Sequence, residues 1–377
     1  MSEREIEPQA LAERLAALPD LQELREAAAG LPAYLVGGAV RDLLLGEARA
    51  DLDVAVEGEI GSLTEALGGE LVEHERFATA SVRVGGLHVD IARARAETYP
   101  SPGALPEVRP APIADDLARR DFTINAMAVP LAGEPDLIDP HGGLADLREG
   151  LMRVLHELSF IDDPTRALRA ARYAARLGFG LEAGTDRMLR GAELSTVSED
   201  RVLGELARIA AEPSPSRALE LISEWGLLEL GDAPAVVGTL ERVFDARPEW
   251  SEYADRETSI LLAVAPGDHP DQLRRRAAKL AAAKPNSPAE IYSRADGHAP
   301  SIVALARGRG ADWLDDYVAR LRHAGLEISG YDLMDAGVAE GPAIGKGLNA
   351  ALAARLNGEI SNREEELRVA LEAAAAD

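Results

Sequence analysis

Two hydrophobic periods alternate in the first third of the chain. Ala33–Gly37 and Leu52–Val56 are short apolar runs of strand character, and Ser81–Val84 with Leu87–Ile91 predict a hairpin around Gly85-Gly86. Gly38–Leu45 and Ser62–Leu67 carry helical spacing, so the stretch from Ala33 to about Asp139 reads as an α+β unit. Pro100, Pro102, Pro106, Pro110 and Pro112, with Gly103 among them, interrupt any regular element and predict a long surface loop. After Gly150 the strand signals fade and Ala/Leu/Arg periodicity predicts an all-α second half, punctuated at Gly178–Gly180, Pro213–Pro215, Pro266–Pro270, Pro285–Pro288 and Gly341–Gly347. No internal repeat of fixed period is present.

Composition narrows the chemistry. At 377 residues the chain is long enough for two to four packed units, and 46% hydrophobic with 28% charged residues is ordinary for a globular protein. The absence of cysteine excludes disulfides, thiolate zinc sites, iron–sulfur clusters and a cysteine nucleophile. The N-terminus is charged and helical, and no run reaches the ~18 apolar residues of a membrane span, so a cytoplasmic protein with no membrane partner is expected. A net charge of −25 opposes a polyanionic partner at face value. Yet only Lys279, Lys284 and Lys346 are lysine, and the remaining cations are arginine, the side chain suited to bidentate phosphate and base contacts. Aromatics at 4% argue against bases read on an aromatic sheet.

In Tyr34–Gly46 a strand enters the Gly37-Gly38 turn and a helix opens there, offering bare backbone and an N-terminal dipole to a phosphate. Neither the G-x-G-x-x-G fingerprint nor a Gly-Lys-Ser/Thr P-loop is present. On the strand that follows, Asp51 and Asp53 share one face while Leu52, Val54 and Val56 take the other. About eleven acid-x-acid pairs are expected by chance in a chain this acidic, so the strand and the upstream turn carry the weight. Two carboxylates held together call for a cation, and oxygen ligands of this kind suit Mg²⁺ on nucleotide phosphates. Asp90, between Val89 and Ile91, is a candidate third carboxylate.

Two arginine motifs follow. Arg119-Arg120-Asp121 precedes an apolar segment and could set a guanidinium on a triphosphate and a carboxylate on a ribose hydroxyl. Asp162-Asp163-Pro164-Thr165-Arg166 opens a helix, and Arg166, Arg169, Arg172 and Arg176 fall within a sector of roughly 120° on it. Four unpaired guanidinia on one stripe would repel, and a polyanion would relieve them.

The succession Gly-Gly-x-Val-Arg-Asp with Asp-x-Asp, Arg-Arg-Asp-Phe-Thr-Ile-Asn-Ala-Met-Ala, Asp139-Pro-His-Gly-Gly-x-x-Asp146-Leu, and Asp-Asp-Pro-x-Arg-x-x-Arg-x-x-Arg resembles the class II CCA-adding enzymes and bacterial poly(A) polymerases. Ser198–Leu206 and Ile328–Leu348 extend the likeness over roughly residues 31–360. The resemblance implies a nucleotidyltransferase palm over 31–150 after a helical extension at 1–30, then a neck over 151–212, a body over 213–300 and a tRNA-binding tail over 301–377. It implies that Asp51 and Asp53 hold two Mg²⁺, with Asp90 at the third acidic position of catalysis. Gly38 and Arg41 would seat the triphosphate, Arg120 and Asp121 the sugar–phosphate part, and Asp163 with Arg166 the incoming base, backed by Arg169 and Arg172. The reaction implied adds CCA, or part of it, to the tRNA 3′ end from CTP and ATP. Cytosine and adenine both offer an exocyclic amine and a ring-nitrogen acceptor, which a carboxylate and a guanidinium can read.

Asp162 stands where the family usually has Glu, and Tyr173 where it usually has Phe. Poly(A) polymerases typically carry a Phe-x-Leu-x-His-Val pattern where this chain reads Arg76–Val82, and a basic extension where it ends in acid and alanine. A CC-adding or A-adding partial enzyme stays open on sequence, and a non-catalytic RNA-binding protein is opposed by the intact Asp51, Asp53 and Asp90. With no His-Asp dipeptide, a phosphohydrolase of that kind is not expected.

Overall fold

The computed structural model describes residues 6, 9–16, 19–47, 51–68, 70–74, 77–84 and 86–376. They form two compact units, Met1–Glu205 with Leu221–Glu229, and Leu206–Glu220 with Leu230–Asp377.

The first unit runs α1 (Gln9–Ala16), α2 (Pro19–Ala27), β1 (Ala33–Val36), α3 (Gly38–Leu45), β2 (Asp51–Val56), α4 (Gly61–Ala66), β3 (Glu70–His74), β4 (Phe77–Val84) and β5 (Leu87–Arg93). It continues with β6 (Arg95–Thr98), β7 (Glu107–Pro110), α5 (Ile113–Ala118), β8 (Ala128–Pro130), α6 (Gly143–Glu149), β9 (Leu151–Met152), α7 (Ser159–Asp162), α8 (Thr165–Leu177), β10 (Gly180–Leu181) and α9 (Ala183–Leu189). A six-stranded mixed sheet of order β3-β4-β5-β2-β1-β8 is its floor. Within this sheet, among the described residues, only β2 and β5 pair in parallel. The predicted α+β class holds, and the alternation in β2 does its expected work: Leu52, Val54 and Val56 are buried while Asp51 and Asp53 are exposed. Val36, Ala55, Ala94, Ile113, Leu117 and Ala128 pack as one apolar cluster at the root of the site. Gly46 ends α3 in the left-handed region at φ 80°, where glycine alone is unstrained.

One further expectation holds and two are modified. β4 and β5 do form the predicted hairpin pair, with Val84 opposite Leu87, although Gly85 of its turn lies outside the described residues, as do residues 1–5 of the N-terminal extension. The proline-rich stretch is not all loop: Glu107–Pro110 pairs antiparallel with Arg95–Thr98 as a two-stranded ribbon. Pro110 closes that ribbon at its end, where a missing N–H donor costs little. The region after Gly150 is helical except for one short parallel pair, β9 with β10.

α10 (Glu199–Ala210) and α11 (Pro215–Glu224) lead to the remainder of the second unit, which is wholly helical among the described residues. It comprises α12 (Ala233–Ala246), α13 (Pro248–Tyr253), α14 (Arg256–Val264), α15 (Asp268–Ala281), α16 (Pro288–Ala295), α17 (Pro300–Gly308), α18 (Leu314–Ala319), α19 (Gly330–Asp335), α20 (Pro342–Leu356) and α21 (Arg363–Ala375). Ile328, Leu333, Ala351 and Ala370 form a separate core at its C-terminal end. Among the described residues no helix is long and apolar enough to cross a membrane.

Candidate active site

The parallel pairing of β2 with β5 sets Asp51 opposite His88 and Asp53 opposite Asp90. In-register neighbours in a sheet lie ~4.8 Å apart and face the same side, so the three acids form one cluster. His88 sits between two of them, its Nδ1 3.7 Å from Asp51 and 4.0 Å from Asp90. The Ser81 hydroxyl, opposite Asp90 on β4, donates to its carboxylate. Asp53 is surface-exposed but crowded by protein on its inner side, and that partial desolvation, then repulsion from Asp90 and Asp51, lifts its carboxyl above the ordinary value against the pull of Arg120 and Arg169.

β1 ends in Gly37 at φ 67°, the left-handed region. A Cβ there would lie 2.5 Å from Arg120 Nη1, whereas one on Gly38 would meet only Arg41 Nη2 at 3.4 Å. Of the two glycines of the turn, Gly37 is therefore the one where both the backbone and the space oppose a side chain. Arg41 is 1% exposed and held from inside: its Nε donates to Asp42 (2.8 Å), its Nη1 to Asn125 Oδ1 (2.5 Å), and it stacks 5.2 Å from the Tyr173 ring centre.

Arg119 and Arg120 are gathered by Asp116 on α5, one turn before them, which accepts from Arg119 Nη2 (2.7 Å) and Arg120 Nη2 (2.9 Å). Burial alone would raise the Asp116 carboxyl; the two guanidinia outweigh it and hold it below the usual range. Asp121 is more firmly fixed. Its Oδ1 accepts from the Phe122 N–H (2.8 Å) and Asn125 Nδ2 (3.0 Å), and its Oδ2 takes the Arg169 fork at 2.8 and 2.6 Å.

That fork overturns the picture of an unpaired arginine stripe on α8. Arg169 is neutralised by Asp121 and, at 3.6 Å, by Glu205. Arg172 faces Glu205 at 3.7 Å and stacks 4.5 Å from the Tyr173 ring centre. Arg166 is 4% exposed and donates to Ser159 Oγ (2.7 Å) and the Arg119 carbonyl (2.8 Å). Helical spacing put these residues on one face correctly; it could not show that the face is turned inward onto acids from distant segments.

At the head of α8, Asp163 Oδ1 accepts from the Thr165 N–H (3.1 Å) and hydroxyl (2.5 Å) and from Arg201 Nη2 (2.8 Å). Its Oδ2 has no such bond among the described residues, and neither does Arg166 Nε. Two polar atoms of opposite sense are thereby left over at adjoining side chains. Arg201 also donates to the Gly103 carbonyl (2.7 Å), and the Gly103 N–H donates to Ile161 (3.1 Å). The proline loop is therefore docked here. Tyr99 stands beside Arg166, its hydroxyl 3.5 Å from Nη2, and burial pushes its phenol up to about 12. Asp162 lies 4.0 Å from His156 Nδ1, whose imidazole is lowered by burial and by Arg166.

Residues 33–153 match the model of the poly(A) polymerase head domain. A CC-adding tRNA nucleotidyltransferase of Deinococcus radiodurans is 35% identical over 90% of this chain and 88% of its own length. The chain belongs to the tRNA nucleotidyltransferase family. An A-adding tRNA nucleotidyltransferase of Geobacter sulfurreducens is likewise 35% identical over 90% of this chain, which spans 45% of that relative's length. The solved Thermotoga maritima CCA-adding enzyme, complexed with tRNA, superposes with a TM-score of 0.76 at 29% identity over 97% of both chains.

In this nucleotidyltransferase the donor set suits a hard divalent cation: carboxylate oxygens on β2, with Asp53 disfavoured as an anion first by desolvation and then by its acidic neighbours. Among the described residues no three acidic or histidine side chains already close on a single point. The site also holds residues that sequence reasoning left unassigned, Asp116, Asn125, Arg201, His88 and Ser81. Asp116 could have been read from its helical spacing to Arg119 and Arg120. The others reach the site through tertiary contacts with no local signature.

Proposed function

We propose that this chain adds or repairs all or part of the CCA sequence at the tRNA 3′ end, using CTP and ATP and no nucleic-acid template. The alignment of Asp53 with Asp90 beside Arg120 and the Gly37 turn supports this reading, because carboxylates suited to a divalent cation then adjoin a turn suited to a phosphate. Mg²⁺ held by Asp51 and Asp53 would lower the charge barrier between the attacking 3′-hydroxyl and the leaving pyrophosphate. Gly37, Gly38 and Arg120 bind the triphosphate, and Arg41, locked beneath the turn, fixes its shape. Asp121 orients Arg169 toward the acidic cluster. Asp163 Oδ2 accepts from the exocyclic amine of cytosine or adenine while Arg166 Nε donates to the ring nitrogen; uracil and guanine present the reverse polarity. Arg172 and Tyr173 support the floor of that pocket. We read 31–150 as head, 151–212 as neck, 213–300 as body and 301–377 as tail, acting in the cytoplasm.

A primer panel tests this. Transcripts of one tRNA ending at the discriminator base, at C and at C-C are each supplied with Mg²⁺ and labelled CTP, ATP or both. Growth to C-C-A followed by arrest is the outcome for a complete enzyme. Arrest at C-C marks a CC-adding enzyme, and activity on the C-C end with ATP alone marks an A-adding one. Long A tracts would transfer the chain to poly(A) polymerase, and no incorporation would refute the proposal.

A further inference from the structure

Pairing of the α8 arginines with Asp121 and Glu205 leaves a question about the backbone of a polyanionic substrate: which cations are free to meet it? From Gln272 to Ala289 the chain has no acidic residue, between Asp271 and Glu290, where a chain with 65 acids in 377 would place about three by composition alone. The same window holds Arg274, Arg275, Arg276, Lys279 and Lys284, including two of the three lysines. α15 sorts them by face. Ala277 and Leu280 are buried, and Arg274 turns with them to donate to the carbonyls of Leu262 (3.0 Å) and Ala265 (2.7 Å) while pairing with Asp271. Arg275, Arg276, Lys279 and Lys284 are exposed, and none has a carboxylate partner among the described residues. Among the exposed arginines elsewhere, Arg190, Arg217 and Arg247 each pair with an acid.

We infer that the outer face of α15 and the turn after it, Arg275, Arg276, Lys279 and Lys284, receives the sugar–phosphate backbone of a base-paired stem of the tRNA. This rests on the tRNA reading above and adds where the RNA meets the second unit. From Arg275 to Lys279 the cations span about 6 Å along the helix axis, so separate phosphates can be met by separate side chains. The face between them carries only Ala278 and Ala282, with no acid to repel the strand. In a chain with a net charge of −25, an acid-free cationic window of this kind favours a phosphate backbone by charge.

The test is tRNA binding across salt concentrations for the wild type, R275Q/R276Q/K279Q, and R190Q/R217Q/R247Q, an equal charge change at paired cations outside the tail. Each duplex phosphate contact contributes about 0.9 to the slope of log affinity against log salt. The patch variant should bind at least tenfold more weakly with a slope flatter by two or more, an unchanged helical spectrum and melting point, and the control should stay within about twofold of wild type. A patch variant that binds like the control overturns the inference. Labelled CTP and ATP incorporation by the same wild-type preparation separates the two failures: incorporation with an ineffective patch variant leaves the function standing, whereas no incorporation removes both.

Discussion

Asp53 on β2 and Asp90 on β5 lie level across the parallel pair of the sheet. Partial desolvation, and after it the charge of Asp90 and Asp51, makes the ionised Asp53 uncomfortable in the free protein, which is the condition a divalent cation relieves. If Asp53 holds the divalent cation as proposed, Asp53→Asn removes a metal ligand and no phosphate contact. It should lower the single-turnover transfer rate by a factor on the order of a thousand or more while tRNA affinity stays within about twofold. Turnover within tenfold of wild type would remove Asp53 from the metal site.

Asp121 is predicted to be the keystone of the folded head. Burial alone would raise its carboxyl, but the Arg169 charge, with hydrogen bonds from Asn125 and Arg169, holds it well below the usual carboxylate range. A depressed carboxyl stabilises the fold fully above its unfolded value of about 3.9, and that stabilisation is lost as pH falls below it. Asp121→Asn strands Arg169 and should cost about 3–5 kcal/mol in urea unfolding at pH 7. Between pH 5 and pH 3 the wild type should lose more stability than the variant; parallel pH profiles would show that Asp121 contributes no such linkage.

Two guanidinium nitrogens of Arg166, Nη1 and Nη2, are fixed by hydrogen bonds, and Nε is left over. If Nε reads the base, Arg166→Ala should narrow the preference for CTP over UTP by about ten- to a hundredfold in kcat/KM, the range of a lost base-edge contact. Arg166→Lys should restore charge without the planar fork and recover little discrimination. Selection against UTP that matches wild type in both variants would assign Arg166 to scaffolding.

The two glycines of the turn should behave differently. Gly37→Ala meets both a left-handed backbone and Arg120, whereas Gly38→Ala meets a guanidinium at van der Waals distance. The first should raise the KM for nucleotide about tenfold and destabilise by about 1–3 kcal/mol; the second should stay within a few-fold. Equal kinetics for the pair would place the triphosphate elsewhere.

Local pattern carried a large share of this protein. Period-two alternation in Asp51–Val56 placed two acids on one face because a pleated strand permits nothing else, and Pro164 marked the head of α8 because a helix start tolerates its missing N–H. The ribbon at Glu107–Pro110 was missed since proline weakens every local strand signal, and only its antiparallel partner Arg95–Thr98 stabilises it.

By itself the sequence determined which acids share a strand face and which arginines share a helix face, both consequences of fixed backbone periods. Only the tertiary structure decided what those faces meet. It aligned Asp90 with Asp53, gave the α8 arginines to Asp121 and Glu205, buried Arg41 under Tyr173 and drew Gly103 onto Arg201. Those pairings join segments tens of residues apart, and a charge's partner is set by packing across that distance, which no local period encodes.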